Sequence, residues 1–390
     1  MANITFETDF EAGNGVNFKQ VGEDTYSFEI RPDTKSEDRQ WFCFRVRGAA
    51  GRTLRFQLGG IAGTNVPEHW ELSRPVVSHD GGKTWRWISG ETAVDLSADR
   101  FSFSHHVKSD AELIAYHFPY GFEKLEGEVR RWAAHEDAKH SVIGKTVQGR
   151  PVHYLRVEKG NARKEIGVWI CARVHAAETT ASFTAEGFID FLLSDDPRAL
   201  ELRERAVFHI VPMVNPDGAV AGNYRDNIEG INLNRVWDAP SPETSPEVVA
   251  VRRVLDEWAD AGNPYHLFID FHSDSAAQSH YAFYPDGSAE TPLYHTPADY
   301  HEHIRKFLRH VAAEAPDFCL DEGASTASDP TLSFHMQRMT RGVLAMIPEG
   351  SYGMLKRGPN SGRPITPRDH QIVGAAFCIA IWSYYFADSR

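Results

Sequence analysis

Two side chains with metal-binding chemistry, His175 and Glu178, stand three residues apart where the apolar run Val168-Trp-Ile-Cys-Ala ends. Imidazole nitrogen and carboxylate oxygen are both good zinc ligands. A strand that stops at such a pair places it at a sheet edge, where open α/β folds keep their active sites. A lone His-x-x-Glu arises by chance in many chains of this length. Its meaning depends on a third ligand, a base and substrate-binding groups after other strands. Such groups follow in order. The apolar run 207–214 leads into Asn215-Pro-Asp-Gly218, then Arg225, then Asn232-Leu-Asn234-Arg235. Asn-Pro-Asp-Gly alone is turn chemistry, and arginines usually end as solvated or ion-paired surface groups. On one loop after a strand, however, guanidinium groups can hold a carboxylate by paired charge-assisted bonds or stabilise an oxyanion. His272 then follows the run 267–271, and Glu349 follows the run 342–347.

These residues need a sheet to bring them together. From about residue 120 the pattern alternates, with buried strands expected at 166–172, 207–214, 267–271 and 342–347. Helices are expected near 181–193, 246–259, 298–313 and 367–386. That alternation predicts an α/β fold, a mixed or parallel sheet covered by helices. The last helix is apolar nearly all round and is expected to pack across the sheet as a core element. The first 115 residues read instead as short alternating or aromatic-rich strands separated by turn signals such as Ala12-Gly-Asn-Gly15 and Asp80-Gly-Gly82, a β-sandwich pattern. In the run 40–46, Trp41, Cys43 and Arg45 share one face while Phe42, Phe44 and Val46 share the other. Both faces are largely apolar, so this strand is expected to be central. The expected division is a sandwich over 1–115 and a catalytic domain over 116–390. Trp41, Trp70, Trp85 and Trp87 are read as core and interface residues rather than a sugar platform.

Composition narrows the functional classes. A net charge of −13 without a long basic stretch argues against nucleic acid. No apolar run approaches the eighteen or so residues needed to span a bilayer, so no membrane partner is expected. The first residues have no apolar signal core. Cys43, Cys171, Cys319 and Cys378 show no metal-finger spacing, and Cys171 and Cys378 sit within apolar runs. A reduced, cytoplasmic location is the simplest expectation.

The order His-x-x-Glu, Asn-Pro-Asp-Gly, Arg, Asn-Arg, His, Glu resembles the zinc metallocarboxypeptidase family over roughly residues 120–386. Phe10-Glu-Ala-Gly-Asn14, Gln40-Trp-Phe-Cys-Phe-Arg-Val46 and Phe118-Pro-Tyr-Gly-Phe resemble the cytosolic carboxypeptidase branch, which carries an extra N-terminal domain. The resemblance implies a mixed eight-stranded sheet flanked by helices, preceded by an antiparallel β-sandwich. It implies one Zn2+ held by His175, Glu178 and His272, with Glu349 as general base and Arg225 as oxyanion partner. Asn234 and Arg235 would clamp the free carboxylate of a peptide or protein C-terminus. The remaining histidines, including His266, His280, His295, His301, His303 and His335, are read as non-ligands.

Three departures from the family pattern stand out. Asn232 replaces the Asp that usually supports a zinc-bound His, and its amide oxygen can accept the same bond without a charge. Ala176-Ala177 replaces a common Pro-Gly. Residues 301–348 contain no Tyr, which leaves Tyr352 and Tyr284 as substitutes for a usual active-site Tyr. Relatives of the animal type remove C-terminal or branched glutamates, and that specificity requires a cation in the side-chain pocket. Arg338 and Arg341 are the candidates by proximity to Glu349, against the plainer reading of a solvated pair. Two other functions keep the fold: an N-acyl amino acid amidohydrolase or deacylase, and an inactive binding protein.

Overall fold

The computed structural model describes residues 3–275, 279–285, 297–320, 324–325 and 343–387. The strands of the N-terminal part are Thr5–Glu7 (β1), Val16–Gly22 (β2), Thr25–Glu29 (β3), Cys43–Arg47 (β4), Thr53–Gly59 (β5), Val76–Ser78 (β6), Arg86–Trp87 (β7), Thr92–Asp95 (β8), Arg100–His106 (β9) and Ala111–Ala115 (β10). They form two sheets, ordered β1-β4-β10-β6-β7 and β2-β3-β5-β9-β8. All pairs are antiparallel except β3 with β5, which run parallel. That exception to the expected antiparallel sandwich follows from β4, which lies between them in sequence but pairs into the opposite sheet.

Aromatic rings join the sheets. Phe6 stacks on Phe18 at 4.6 Å, and Phe44 meets Phe56 at 5.5 Å. β4 has neighbours on both sides, as its two apolar faces require. The strand begins at Cys43 rather than Gln40. Gln40, Trp41 and Phe42 are buried all the same, with the Trp41 indole donating to the Ala12 carbonyl at 2.8 Å. Trp70 is fully buried, and the Trp87 indole donates across to the Ile365 carbonyl. These tryptophans thus serve core and interface.

The second part contains Phe122–Ala133 (α1), Ala138–Lys145 (β11), Pro151–Val157 (β12), Ile166–Ala172 (β13), Thr179–Leu192 (α2), Pro197–Arg205 (α3), Ala206–Val211 (β14) and Pro216–Ala221 (α4). Pro246–Asp260 (α5), Leu267–Asp274 (β15), Tyr281–Pro285 (β16), Pro297–Glu314 (α6), Ala324–Ser325 (β17), Leu344–Ser351 (β18) and Pro367–Tyr385 (α7) follow. Among the described residues the sheet has eight strands in the order β11-β12-β14-β13-β15-β18-β16-β17. The centre, β14-β13-β15-β18, is parallel; β11 and β12 pair antiparallel at one side, and on the other β16 is antiparallel to β18 and parallel to β17. Every residue of β13 is buried, which is why a central parallel strand reads as an unbroken apolar run.

The strands nearest the candidate site are longer than their apolar runs. His272 and Glu349 do not follow β15 and β18 but lie within them, because the two strands stay paired to Asp274 and Ser351. Conversely β14 stops at Val211, and residues 212–214 lead into the α4 cap. Behind the sheet, α7 packs on α2 with almost no gap. A Cβ on Gly374 would stand 1.9 Å from the Thr184 carbonyl oxygen, and one on Gly187 would stand 2.1 Å from that of Gln371. The four cysteines are free thiols, and Cys171 and Cys378 are fully buried.

Candidate metal centre and active site

The turn between β13 and α2 presents His175 and Glu178. It is wound around Arg173, a buried residue whose φ of 59° is unusual for a side chain with a Cβ. Such backbone persists only where surroundings over-determine it. Here the guanidinium donates to the Ala176 carbonyl at 2.6 Å, the Tyr120 carbonyl at 3.0 Å and the Ser182 hydroxyl at 3.0 Å. Burial pushes its pKa down to about 10, so it remains a cation at neutral pH. The amides of Ala176 and Ala177 donate to the carbonyls of Arg225 and Tyr224 at 3.2 and 2.8 Å. The turn is therefore docked on the Arg225 loop.

His272 reaches the same point from β15. Its Nδ1 lies 2.8 Å from Glu178 Oε2, His175 Nδ1 lies 2.6 Å from Glu178 Oε1, and the two Nδ1 atoms are 3.2 Å apart. All three side chains are buried. The outward nitrogens are held as well. His175 Nε2 stands 3.3 Å from Asn232 Oδ1, and His272 Nε2 stands 2.9 Å from Asp270 Oδ2. A ring that donates its Nε2–H backward turns the Nδ1 lone pair toward the centre, the arrangement ligating histidines require. Asn232 thus occupies the supporting position expected for it. Asp270 leaves only a faint mark in the sequence, a lone acid inside the apolar strand, two residues before His272 and so on the same face.

The electrostatics fit a bound cation. Burial pushes the His272 pKa down, yet the Asp270 and Glu178 carboxylates outweigh it and hold the ring well above the usual range. Burial would raise Glu178, but the two histidines bring it below the usual carboxylate range. Burial lowers His175 to about 4, against the pull of Glu178 and with a push from Arg225. Glu349 is held well above its ordinary value by burial and then by the charge of Glu178. Its Cα is in register with His272 across β15 and β18, and its buried Oε2 has no hydrogen-bond partner among the described residues. The Glu178 and Asp270 carboxylates thus flank two imidazoles with the Glu349 carboxyl beside them, a donor set that would suit a divalent cation. Among the described residues no other group of three His, Cys, Asp or Glu side chains gathers closely enough to hold a metal. His295 and His335 lie outside those residues.

Arg225 and Asn234 sit on the loop that follows α4. The Asn-Pro-Asp-Gly motif is a helix cap: Asn215 Oδ1 accepts from the Gly218 amide at 3.0 Å, and the Asn215 amide donates to the Val174 carbonyl at 3.3 Å. Its role is to anchor the loop beside the metal turn. The Arg225 side chain is half-buried and makes no hydrogen bond or ion pair among the described residues. Asn234 is buried, with Nδ2 3.5 Å from His272 Nε2 and its backbone amide on Asn232 Oδ1 at 3.0 Å. Arg235 is exposed and donates to the Asn234 carbonyl at 3.0 Å. Tyr284 packs against His301 at 5.7 Å. Tyr352 stacks on His117 at 4.0 Å, is held well above its usual pKa by burial and the field of Glu178, and has a hydroxyl with no partner among the described residues. Arg338 and Arg341 lie outside the described residues.

A buried His-Glu-His centre at the edge of a mixed sheet, with a carboxylate beside it and arginines on an adjacent loop, defines a metallopeptidase class. Residues 130–337 match the family described as zinc carboxypeptidase, and the chain belongs to that family of hydrolases. Residues 6–117 match the cytosolic carboxypeptidase N-terminal domain, which places it in that branch. Cytosolic carboxypeptidase 6 of Caenorhabditis elegans is 26% identical, over 99% of this chain and 88% of that one. A metallo-carboxypeptidase from Burkholderia cenocepacia has the same architecture, with a TM-score of 0.88, 28% identity and 98% and 99% of the two chains covered. One from Pseudomonas aeruginosa, in complex with (2-guanidinoethylmercapto)succinic acid, gives 0.85 at 27% identity over 97% and 98%. No helix among the described residues is long and apolar enough to cross a membrane.

Proposed function

We propose that the protein removes the C-terminal residue of peptides or proteins, using one Zn2+ held by His175, Glu178 and His272. The observation that carries this reading is the convergence of two Nδ1 atoms and one carboxylate, with each Nε2 fastened from behind by Asn232 or Asp270. Those three residues would hold the ion, which when bound would supply the activation of a water and the polarisation of a carbonyl. Glu349 takes the proton from the attacking water and passes it to the leaving amine, a task suited to a buried carboxyl whose pKa is raised. Arg225 binds the oxyanion of the tetrahedral intermediate. Asn234 and Arg235 hold the free C-terminal carboxylate, which makes the reaction exopeptidic because an internal peptide bond offers no carboxylate there.

We take residues 1–115 as the sandwich domain, 116–390 as the catalytic domain and the cytosol as the place of action. Metal analysis followed by a panel of N-blocked peptides with varied C-terminal residues, including Glu and Asp, tests the reading. Zinc-dependent, chelator-sensitive release of the terminal residue is expected. Cleavage of N-acyl amino acids with no cleavage of peptides would make the protein a deacylase instead. A well-folded protein that holds no zinc would favour an inactive binding protein. A preference for acidic ends that disappears in Arg338→Ala or Arg341→Ala would assign the side-chain pocket to that residue.

A further inference from the structure

Asp33 belongs to the N-terminal part, on the segment between β3 and β4, and is buried against the opposite part of the molecule. Its carboxylate accepts from three consecutive backbone amides of the Arg225 loop: Tyr224 at 2.5 Å, Arg225 at 2.7 Å and Asp226 at 2.9 Å. Successive N–H groups turned toward one carboxyl group form a concave nest that fixes the backbone of that stretch, and the three bonds work against the burial that pushes the Asp33 pKa up to about 7. Thr34 adds two bonds to Asn223 Oδ1, through its amide at 3.1 Å and its hydroxyl at 3.2 Å. On the far side of the same loop, the carbonyls of Tyr224 and Arg225 accept from the amides of Ala177 and Ala176. Those two residues separate His175 from Glu178. One peptide layer therefore lies between the Asp33 carboxylate and the turn that carries two candidate metal ligands.

We infer that Asp33 is a positioning residue, through which the N-terminal part sets the direction of Arg225 toward the reacting carbonyl. The inference rests on the oxyanion role proposed for Arg225. Each peptide unit of residues 224–226 is held on one face by Asp33, so the Arg225 Cα–Cβ bond has one direction available. The N-terminal part is by this account a component of the active site rather than an appendage. Without the carboxylate the three amides lose a shared acceptor, the loop gains alternative conformations, and the guanidinium spends less time where charge develops.

The experiment compares Asp33→Asn, Arg225→Ala and the double variant, all zinc-loaded, on the N-blocked peptide that the unsubstituted protein cleaves fastest. Hydrogen exchange of the peptide covering 222–227 is measured in parallel. Asp33→Asn is expected to lower kcat about 10- to 100-fold, the scale of a catalytic group misplaced by about 1 Å, with KM and bound zinc little changed. Amides 224–226 should exchange faster. In the Arg225→Ala background the same substitution should cost less than about threefold, because the two act as a unit. An equal loss in both backgrounds would overturn the inference, as would deprotected amides with kcat unchanged. Full activity of Arg225→Ala would overturn the Arg225 assignment itself and the role of Asp33 with it, a failure seen without substituting Asp33. Asp33→Glu covers the case in which Asp33→Asn does not fold. Restored protection together with restored kcat supports the inference, and restored protection with kcat still low overturns it.

Discussion

His272 and Glu349 stand side by side across the parallel pair of β15 and β18, in register at their Cα positions. Adjacent strands therefore deliver a candidate ligand and a candidate base to one point, with no loop between them. A base so placed depends on the rigidity of the central sheet, and burial, followed by the charge of Glu178, makes its carboxylate costly to ionise.

Replacing Glu349 by Gln keeps the shape and removes the proton acceptor. The expected result is a fall in kcat of about 10²- to 10⁴-fold with bound zinc retained, read by steady-state kinetics beside metal analysis. Activity within a few-fold of the unsubstituted protein would remove Glu349 from the mechanism.

Asn232 supports His175 and also caps the Asn234 amide. Asn232→Ala should weaken zinc binding about 10- to 100-fold in competition with a chelator, the usual effect of losing an outer partner of a ligating imidazole. Asn232→Asp should bind at least as tightly as the unsubstituted protein, since a charged acceptor makes the ring a better donor of electrons to the metal. Equal affinity of the Ala variant would show that His175 is oriented by other contacts.

Glu247 supplies a pH signature at a residue outside the candidate ligand set. It is fully buried, and hydrogen bonds from its own amide, the Asn227 side chain and the Val147 amide only partly offset the cost of burying its charge. Burial pushes its pKa up to about 7, and the charge of Asp217 adds to the rise. An acid whose folded pKa exceeds its unfolded value binds more protons when folded, so its ionisation destabilises the fold as pH rises from about 4.5 through 7. Glu247→Gln cannot ionise. Thermal melting should show the variant gaining on the unsubstituted protein across that window and levelling above it, by roughly 3 kcal/mol at most. A difference that stays flat from pH 4.5 to 8 would contradict the raised pKa.

The contact of α7 with α2 leaves no room for a methyl group. Gly374→Ala should cost on the order of 1–3 kcal/mol in a denaturant titration, because a Cβ would collide with the Thr184 carbonyl. The residue just before α2 is Glu178, so the same variant is also expected to bind zinc less tightly. Unchanged stability would mean that the helices separate without penalty.

Much of the site was legible in the chain because buried parallel strands and turn residues leave local marks. The run ending at Ala172 became β13 with the expected bounds, and Asn232 took the position behind His175 that its place in the motif implied. The supports that escaped notice are those whose partners are distant in sequence or whose local mark is ambiguous. Asp270 looks like a solitary acid in a strand until β15 turns it toward the His272 ring. Arg173 gives no sign of its left-handed backbone or of the carbonyls it binds. Asp33 and Arg225 are separated by 192 positions, and nothing near either one announces the other. The parallel pairing of β3 with β5 was hidden because it depends on where β4 goes. The lengths of β15 and β18 were missed because polar residues such as His272 and Glu349 end an apolar run without ending a strand.

The most direct test is the zinc content of the purified protein and of His175→Ala, Glu178→Gln and His272→Ala, measured on samples whose circular dichroism shows a native fold. About one zinc per chain in the unsubstituted protein is predicted from the three-ligand site, with tight binding lost in each variant. A folded protein that takes up no zinc, or a His272→Ala variant that binds it as tightly as before, would contradict the metal centre proposed for His175, Glu178 and His272.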